Sequence, residues 1–445
     1  MKEQQNSFQL LMLGLQHMLA MYAGAILVPL IVGAAIGLNA GQLTYLIAID
    51  LFMCGAATPL QLWKNRYFGI GLPVVLGCTF TAVGPMISIG SIYGVSAIYG
   101  AIIAAGLIVV LAAGFFGKLV RFFPPVVTGS VVMIIGISLI PTAMNNLAGG
   151  EGSKDFGSLG NVLLGFAVTA FILVLFYFFK GFIRSIAILL GLAAGTAAAF
   201  FMGKVDFSEV AEASWVHVPS IFYFGTPTFE LPAILTMLLV AIVSLVESTG
   251  VYFALSDMTN RKLTEKDLEK GYRAEGLAIV LGGLFNAFPY TAFSQNVGIV
   301  QLSKIKSVHV IAITGFMLMA IGLMPKAAAL TTVIPNAVLG GAMIVMFGMV
   351  ISYGIKMLSG VDFESQGNLL IIASSVSLGL GATTVPALFS SLPGAASVLT
   401  GSGIVIGSLT AIALNTFFQF KQPHGGSIRK GEMAHVHNRR PESNG

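Results

Sequence analysis

The chain alternates long apolar stretches with short breaks that carry charge, glycine or proline. Apolar segments fall near 8–36, 41–63, 70–90, 92–115, 124–146, 158–179, 183–202, 231–257, 274–288, 291–303, 308–328, 331–355, 366–386 and 400–420. Most match the roughly 20 apolar residues a helix needs to cross a bilayer, while 70–90 and 291–303 are short and interrupted. If both interrupted pieces cross, the pattern predicts an all-α membrane protein with fourteen transmembrane segments.

Composition removes the soluble classes. Hydrophobic residues make up 56% of the chain and charged residues 9%, with a mean hydropathy of +0.90, against about 25% charged in soluble domains. The 53 glycines suit close helix packing in lipid. Residues 1–7 lack the basic region and cleavage site of a signal peptide, so the first span is expected to stay. Cys54 and Cys78 have no ligand-type spacing, and neither a disulfide nor a metal site is expected from them.

Lysine and arginine test the span count. With the N-terminus inside, only Lys154, Lys204 and Lys326 fall outside, and every other Lys and Arg lies on the cytoplasmic side. Omitting either interrupted segment would move Lys64 and Arg66, or Lys304 and Lys306, to the wrong face.

The loops carry less. Residues 203–230, with Asp206, Glu209, Glu212 and His217, read as a solvated extracellular cap. Thr264 followed by Asp267 resembles a helix cap, so 261–273 is expected to form a short amphipathic helix. The tail 421–445 reads as disordered and cytoplasmic, with His435 and His437 a weak metal candidate.

The stretch from Asn286 to Lys304 is written unlike a membrane helix, with Pro289, Thr291, Ser294, Gln295 and Asn296 close together. Polar, proline-broken backbone at membrane depth is tolerated only where it is buried in protein or lines a cavity. It has an earlier echo. Pro73 precedes Gly77-Cys-Thr79-Phe80 as Pro289 precedes Phe293-Ser294-Gln295, 216 residues later, and Pro124-Pro-Val-Val127-Thr-Gly129 is matched by Pro335-Asn-Ala-Val338-Leu-Gly340 at an offset of 211. Seven spans separate the copies, and an odd number inverts the second against the first. The chain thus divides into 1–202, spans 1–7; an outer loop, 203–230; and 231–420, spans 8–14, with broken segments 3 and 10 pointing to a midplane site.

Few ionisable residues lie within the spans: His17, Asp50, Glu247 and, near an edge, Glu275. A carboxylate at a helix centre costs about 2.5–3.5 kcal/mol on insertion scales, so each is a functional candidate. Glu247 is the deepest and is read as a group that gains and loses a proton. Glu275 is either functional or an interfacial partner of Arg273; Asp50 either functional or a helix-to-helix acceptor; His17 either structural or proton-linked.

Gln295-Asn296-Val-Gly298-Ile-Val-Gln-Leu-Ser303-Lys304 resembles the signature of the nucleobase/ascorbate transporters, as do Gln16-His17, Gly77-Cys-Thr79-Phe80, Glu247-Ser-Thr-Gly and Arg273-Ala-Glu275-Gly276. The wording is most similar to bacterial xanthine permeases, with uric acid permeases close behind. The resemblance implies two inverted repeats forming a core and a gate domain, a homodimer in the lipid bilayer, no cofactor, no nucleic acid, and proton-coupled uptake of a purine, with sodium left open as the driving ion. By the same resemblance Glu247 accepts ring N–H groups, Gln295 pairs with a carbonyl and an N–H, Phe80 packs on the base, Ser294 offers a backbone N–H, Asn296 shapes the Gln295 region, and Glu275 and His17 join Glu247 in proton coupling. A neutral amide supplies both a donor and an acceptor, as a purine edge requires, and uracil carriers tend to have Glu at the Gln295 position. Ser303 replaces the signature Thr, Val251 stands where some proton-coupled purine carriers have Asp, and Lys304 stands in place of Arg. An anion carrier on the same fold would be expected to present a cation within the spans, and an enzyme would need a nucleophile or metal constellation; neither is written here.

Overall fold

The computed structural model describes residues 7–119, 123–389, 391–392, 400 and 402–421. Helices in the first half are α1 (Ser7–Ala25), α2 (Leu27–Ala35), α3 (Ala40–Leu62), α4 (Val83–Tyr93), α5 (Val95–Leu119), α6 (Pro125–Leu147), α7 (Leu159–Phe178), α8 (Phe182–Ser185), α9 (Ala187–Phe201) and the outer-loop turn α10 (Ser208–Glu212). In the second half they are α11 (Leu231–Thr259), α12 (Glu265–Leu284), α13 (Ser294–Ser303), α14 (Val308–Gly322), α15 (Pro325–Thr332), α16 (Asn336–Leu358), α17 (Gln366–Thr384) and α18 (Gly403–Lys421). Two three-residue strands, β1 (Leu76–Cys78) and β2 (Tyr290–Ala292), interrupt this helical plan at the two broken segments.

Among the described residues, eight helical stretches are long and apolar enough to cross a bilayer alone. The other expected crossings fall short for physical reasons. Helices α4 and α9 are short, α13 has ten residues, α12 opens with a charged turn, and α18 enters the count only as Gly403–Phe418. The expected span 308–328 is not straight: it bends by 80° between α14 and α15, where Pro325 starts the second helix. The first span breaks at Ile26. Nor is 261–273 a separate helix. Thr264 caps α12 through a box with Asp267, and the helix runs from there into the membrane segment.

The helices sort into two packed groups. One contains α1–α5 and α11–α15 around the strands; the other contains α6, α7, α9 and α16–α18. Each packing recurs with the halves exchanged: α5 lies on α12 as α3 lies on α14, α11 on α5 as α1 on α14, and α7 on α16 as α17 on α6. Two copies related by a two-fold axis produce this pattern.

The outer loop is more than a solvated cap. Its backbone bonds to both neighbours, His217 N–H to Leu323 O at 3.1 Å and Phe222 N–H to Leu284 O at 3.0 Å, while Tyr223 stacks on Tyr45 of α3 with centroids 3.6 Å apart. On the opposite face, Lys64 Nζ lies 2.9 Å and Arg261 Nη2 3.1 Å from Asp267 Oδ1. Burial alone would raise the Asp267 carboxyl, but bonds from Lys64 and Thr264 and the lysine charge outweigh it and hold it well below the usual carboxylate range. Apart from Lys421, the tail 421–445 lies outside the described residues, including His435 and His437.

Candidate functional site

The two broken segments meet. β1 and β2 pair antiparallel in the register Leu76↔Ala292, Gly77↔Thr291 and Cys78↔Tyr290. The ladder extends at both ends, with Thr79 N–H donating to Pro289 O at 3.0 Å and Phe293 N–H to Val75 O at 2.9 Å. This answers how non-helical backbone survives at membrane depth: each segment satisfies the other's polar groups. The pairing demands glycine. A Cβ on Gly77 would lie 2.7 Å from Phe293 Cδ2, and one on Gly24 would lie 2.6 Å from Phe293 Cζ.

Beyond the strands the chain turns helical in both copies, through the short turn Phe80–Ala82 into α4 and directly into α13. Helix α11 is fastened across this junction by hydroxyls. Ser248 Oγ sits 2.8 Å from Thr291 Oγ1 and accepts from Ala292 N–H at 2.9 Å. One turn earlier, Thr291 Oγ1–H donates to Ser244 O at 3.2 Å, and Ser244 Oγ–H donates to Thr79 Oγ1 at 3.3 Å. Serines four apart share a helix face, so α11 is held in one rotation about its axis.

Glu247 lies between these two serines in sequence. It is half-buried and has no hydrogen-bond or ion-pair partner among the described residues. Tyr353 of α16, in the second helix group, lies against the same helix three residues further along, its Oη 4.0 Å from where a Cβ on Gly250 would sit. Phe80 is buried and packs edge-to-face on Phe347 of the same helix, with ring centroids 5.7 Å apart. Ser294 and Gln295 open α13. The Gln295 side chain lies outside the described residues. Asn296 is buried, yet neither Oδ1 nor Nδ2 has a partner in the described structure. Its amide is a donor and an acceptor left open.

Glu275 is fully buried on α12. Its Oε1 accepts from Tyr252 O–H, and Oε2 has no partner among the described residues. Arg273 bonds to Glu269 instead, so the interfacial-pair reading of Glu275 does not hold. Asp50 is an acceptor, but of a helix-to-strand bond rather than a helix-to-helix one: it takes a bond from Tyr290 O–H at 2.9 Å and ties α3 to β2. His17 is buried in α1 with Nδ1 unpartnered, and no hydrogen bond among the described residues joins it to Glu247 or Glu275.

Helix α11, which carries Glu247, packs against both the Phe80–Ala82 turn and α13. A model described as Permease family matches residues 8–388. The chain is 89% identical to the uric acid permease PucK of Bacillus subtilis over 96% of its own length and 100% of that protein's. The chain belongs to the nucleobase/ascorbate transporter family. It is a multi-pass membrane transporter of purine nucleobases and not an enzyme. It is also 66% identical to the xanthine permease of Bacillus subtilis, over 92% of this chain and 93% of the other, and 42% identical to the uric acid transporter UacT of Escherichia coli, over 95% and 88%.

Solved structures bear out the architecture. The transmembrane domain of the cyanobacterial bicarbonate transporter BicA aligns with a TM-score of 0.61 at 16% identity, covering 86% of this chain and 98% of that one. Murine Slc26a9, an anion transporter in the inward-facing state, gives 0.60 at 12% identity, covering 95% and 70%. The family therefore has the core-and-gate fold of these proteins, and at such identities the likeness speaks of fold alone. Sequence reading gave no role to Ser244, Ser248 or Tyr252, and took Thr291 only as one of the polar residues of the second broken segment. The hydroxyls were visible as polar residues inside apolar spans; Tyr252 looked like ordinary core.

Proposed function

We propose that the protein carries an oxidised purine into the cell in symport with protons, with uric acid the preferred substrate and xanthine next. The observation that carries the choice of purine is the 89% identity, across nearly the whole chain, to a protein named a uric acid permease. Motif wording alone ranks xanthine first, and the relative at 66% keeps xanthine in range.

In this reading Glu247 accepts ring N–H groups, Gln295 pairs with a neighbouring carbonyl and N–H, Phe80 covers the ring, and Ser294 and Asn296 offer donors from the second broken segment. The open carboxylate of Glu247 and the unpartnered amide of Asn296 support these assignments. Glu247, Glu275 and His17 carry the proton. Glu247 lies on the helix group that holds the strands, on the helix that meets Tyr353 of the second group, which suits a site exposed alternately to the two sides. We further propose fourteen spans divided at 203–230, both termini in the cytoplasm of the cell membrane, and a homodimer.

Uptake into vesicles of purified protein tests this, using labelled uric acid, an imposed inward proton gradient, and unlabelled xanthine, uracil, guanine and hypoxanthine as competitors. The reading predicts proton-driven accumulation competed best by uric acid and then xanthine. Accumulation indifferent to the gradient, or chloride or bicarbonate flux without purine uptake, would overturn it.

A further inference from the structure

The hydrogen bonds around Glu275 have a direction fixed by a residue two hydrogen bonds away. Gln61, fully buried on α3, places Nε2 2.7 Å from Tyr252 Oη and 2.8 Å from Gly271 O, while its Oε1 accepts from Ile70 N–H at 3.3 Å. A carbonyl can only accept and a backbone N–H can only donate, so the amide cannot be flipped without losing both. Gln61 therefore donates to Tyr252. The tyrosine has one proton to give, and it goes to Glu275 Oε1.

We infer that Tyr252, oriented by Gln61, is the positioning residue that occupies one oxygen of Glu275 and confines its exchangeable proton to Oε2. Oε2 is buried and lacks a partner among the described residues, so it is the atom left to take and release a proton. From α11, Glu247, Ser248 and Tyr252 lie beside Glu275; from its own helix Tyr272 does; β2 brings the Ala292 N–H towards it, and α3, α5 and β2 present it no charged side chain among the described residues. A tyrosine proton aimed at a carboxylate stabilises the ionised form. Without it, Glu275 holds its proton to higher pH. The inference rests on proton coupling at Glu275.

The test is the pH profile of gradient-driven uric acid uptake in proteoliposomes, run beside counterflow exchange, which needs no proton gradient. Tyr252→Phe is expected to move the profile to higher pH by about one unit, the change that loss of one hydrogen bond to a charged group produces, while counterflow continues. Gln61→Met leaves the tyrosine in place but undirected and should move the profile the same way by less; it also serves if Tyr252→Phe does not fold. A wild-type profile in both variants overturns the inference while leaving proton coupling intact. Wild-type uptake with no dependence on the gradient overturns the coupling reading and the inference together, and loss of counterflow with no shift in the profile assigns Tyr252 to packing.

Discussion

The two broken segments share a backbone plan and differ in chemistry. Each runs from a proline through a three-residue strand into a helix, and the strands pair with each other. The first delivers an aromatic ring, Phe80, and a hydroxyl, Thr79, already bonded to Ser244. The second delivers Ser294, Gln295 and Asn296, two of them amides. In the proposed function, symmetry builds the cradle and asymmetry reads the ligand: one copy would supply a surface to stack on, the other directional donors and acceptors.

The largest effect is expected at Glu247, on the helix that is fastened to both copies. Glu247→Gln keeps the shape and removes the charge, so gradient-driven accumulation of uric acid should be abolished; full uphill uptake by this variant would remove the residue from coupling. Next comes the amide copy. Gln295→Glu replaces a donor with an acceptor and should weaken purine competition about tenfold to a hundredfold, the loss given by one mismatched buried hydrogen bond. Unchanged competition would put the reading function elsewhere.

Smaller effects should appear where the copies are joined. Ser248→Ala leaves Ala292 N–H without its partner and removes one of the two bonds at Thr291 Oγ1, a loss of about 1–3 kcal/mol, while Ser244→Ala breaks one 3.3 Å side-chain bond and should destabilise less. Thermal unfolding of the two variants in detergent would check the order, and the reverse order would contradict the account of how α11 is fastened.

The smallest effect is expected at the charged clamp on the opposite face from the outer loop. The Asp267 carboxyl in the folded protein titrates below its unfolded value of about 3.9. Its stabilisation is therefore complete above that value and is lost only as pH falls through the folded one. Between about pH 5 and 8 it is constant. Lys64→Ala should leave the pH profile of uptake unmoved, so that a shift would mean the transport profile is not set within the membrane.

Much of this was legible in the sequence because lipid punishes anomalies. Proline at 73 and 289 and hydroxyls and amides inside apolar spans mark the broken segments, and the deep glutamate marks the site. The strand pairing was not legible, since three residues such as Leu76-Gly-Cys78 carry no period. The bend before Pro325 was hidden in a continuous apolar run, and the charged first turn of α12 disguised a helix that begins at its cap. The polarity of the Gln61–Tyr252–Glu275 chain was invisible for another reason: its members lie 191 and 23 positions apart, and a tyrosine in an apolar span reads as packing.

The central claim is that the purine sits where the two copies cross. An electron-microscopy map of the protein saturated with uric acid tests it directly. The account predicts planar density stacked on Phe80, within hydrogen-bonding distance of the Glu247 carboxylate and the start of α13 at Ser294. Density seated elsewhere, for instance against Tyr45 and Tyr223 in the outer loop, with the crossing unchanged, would contradict it.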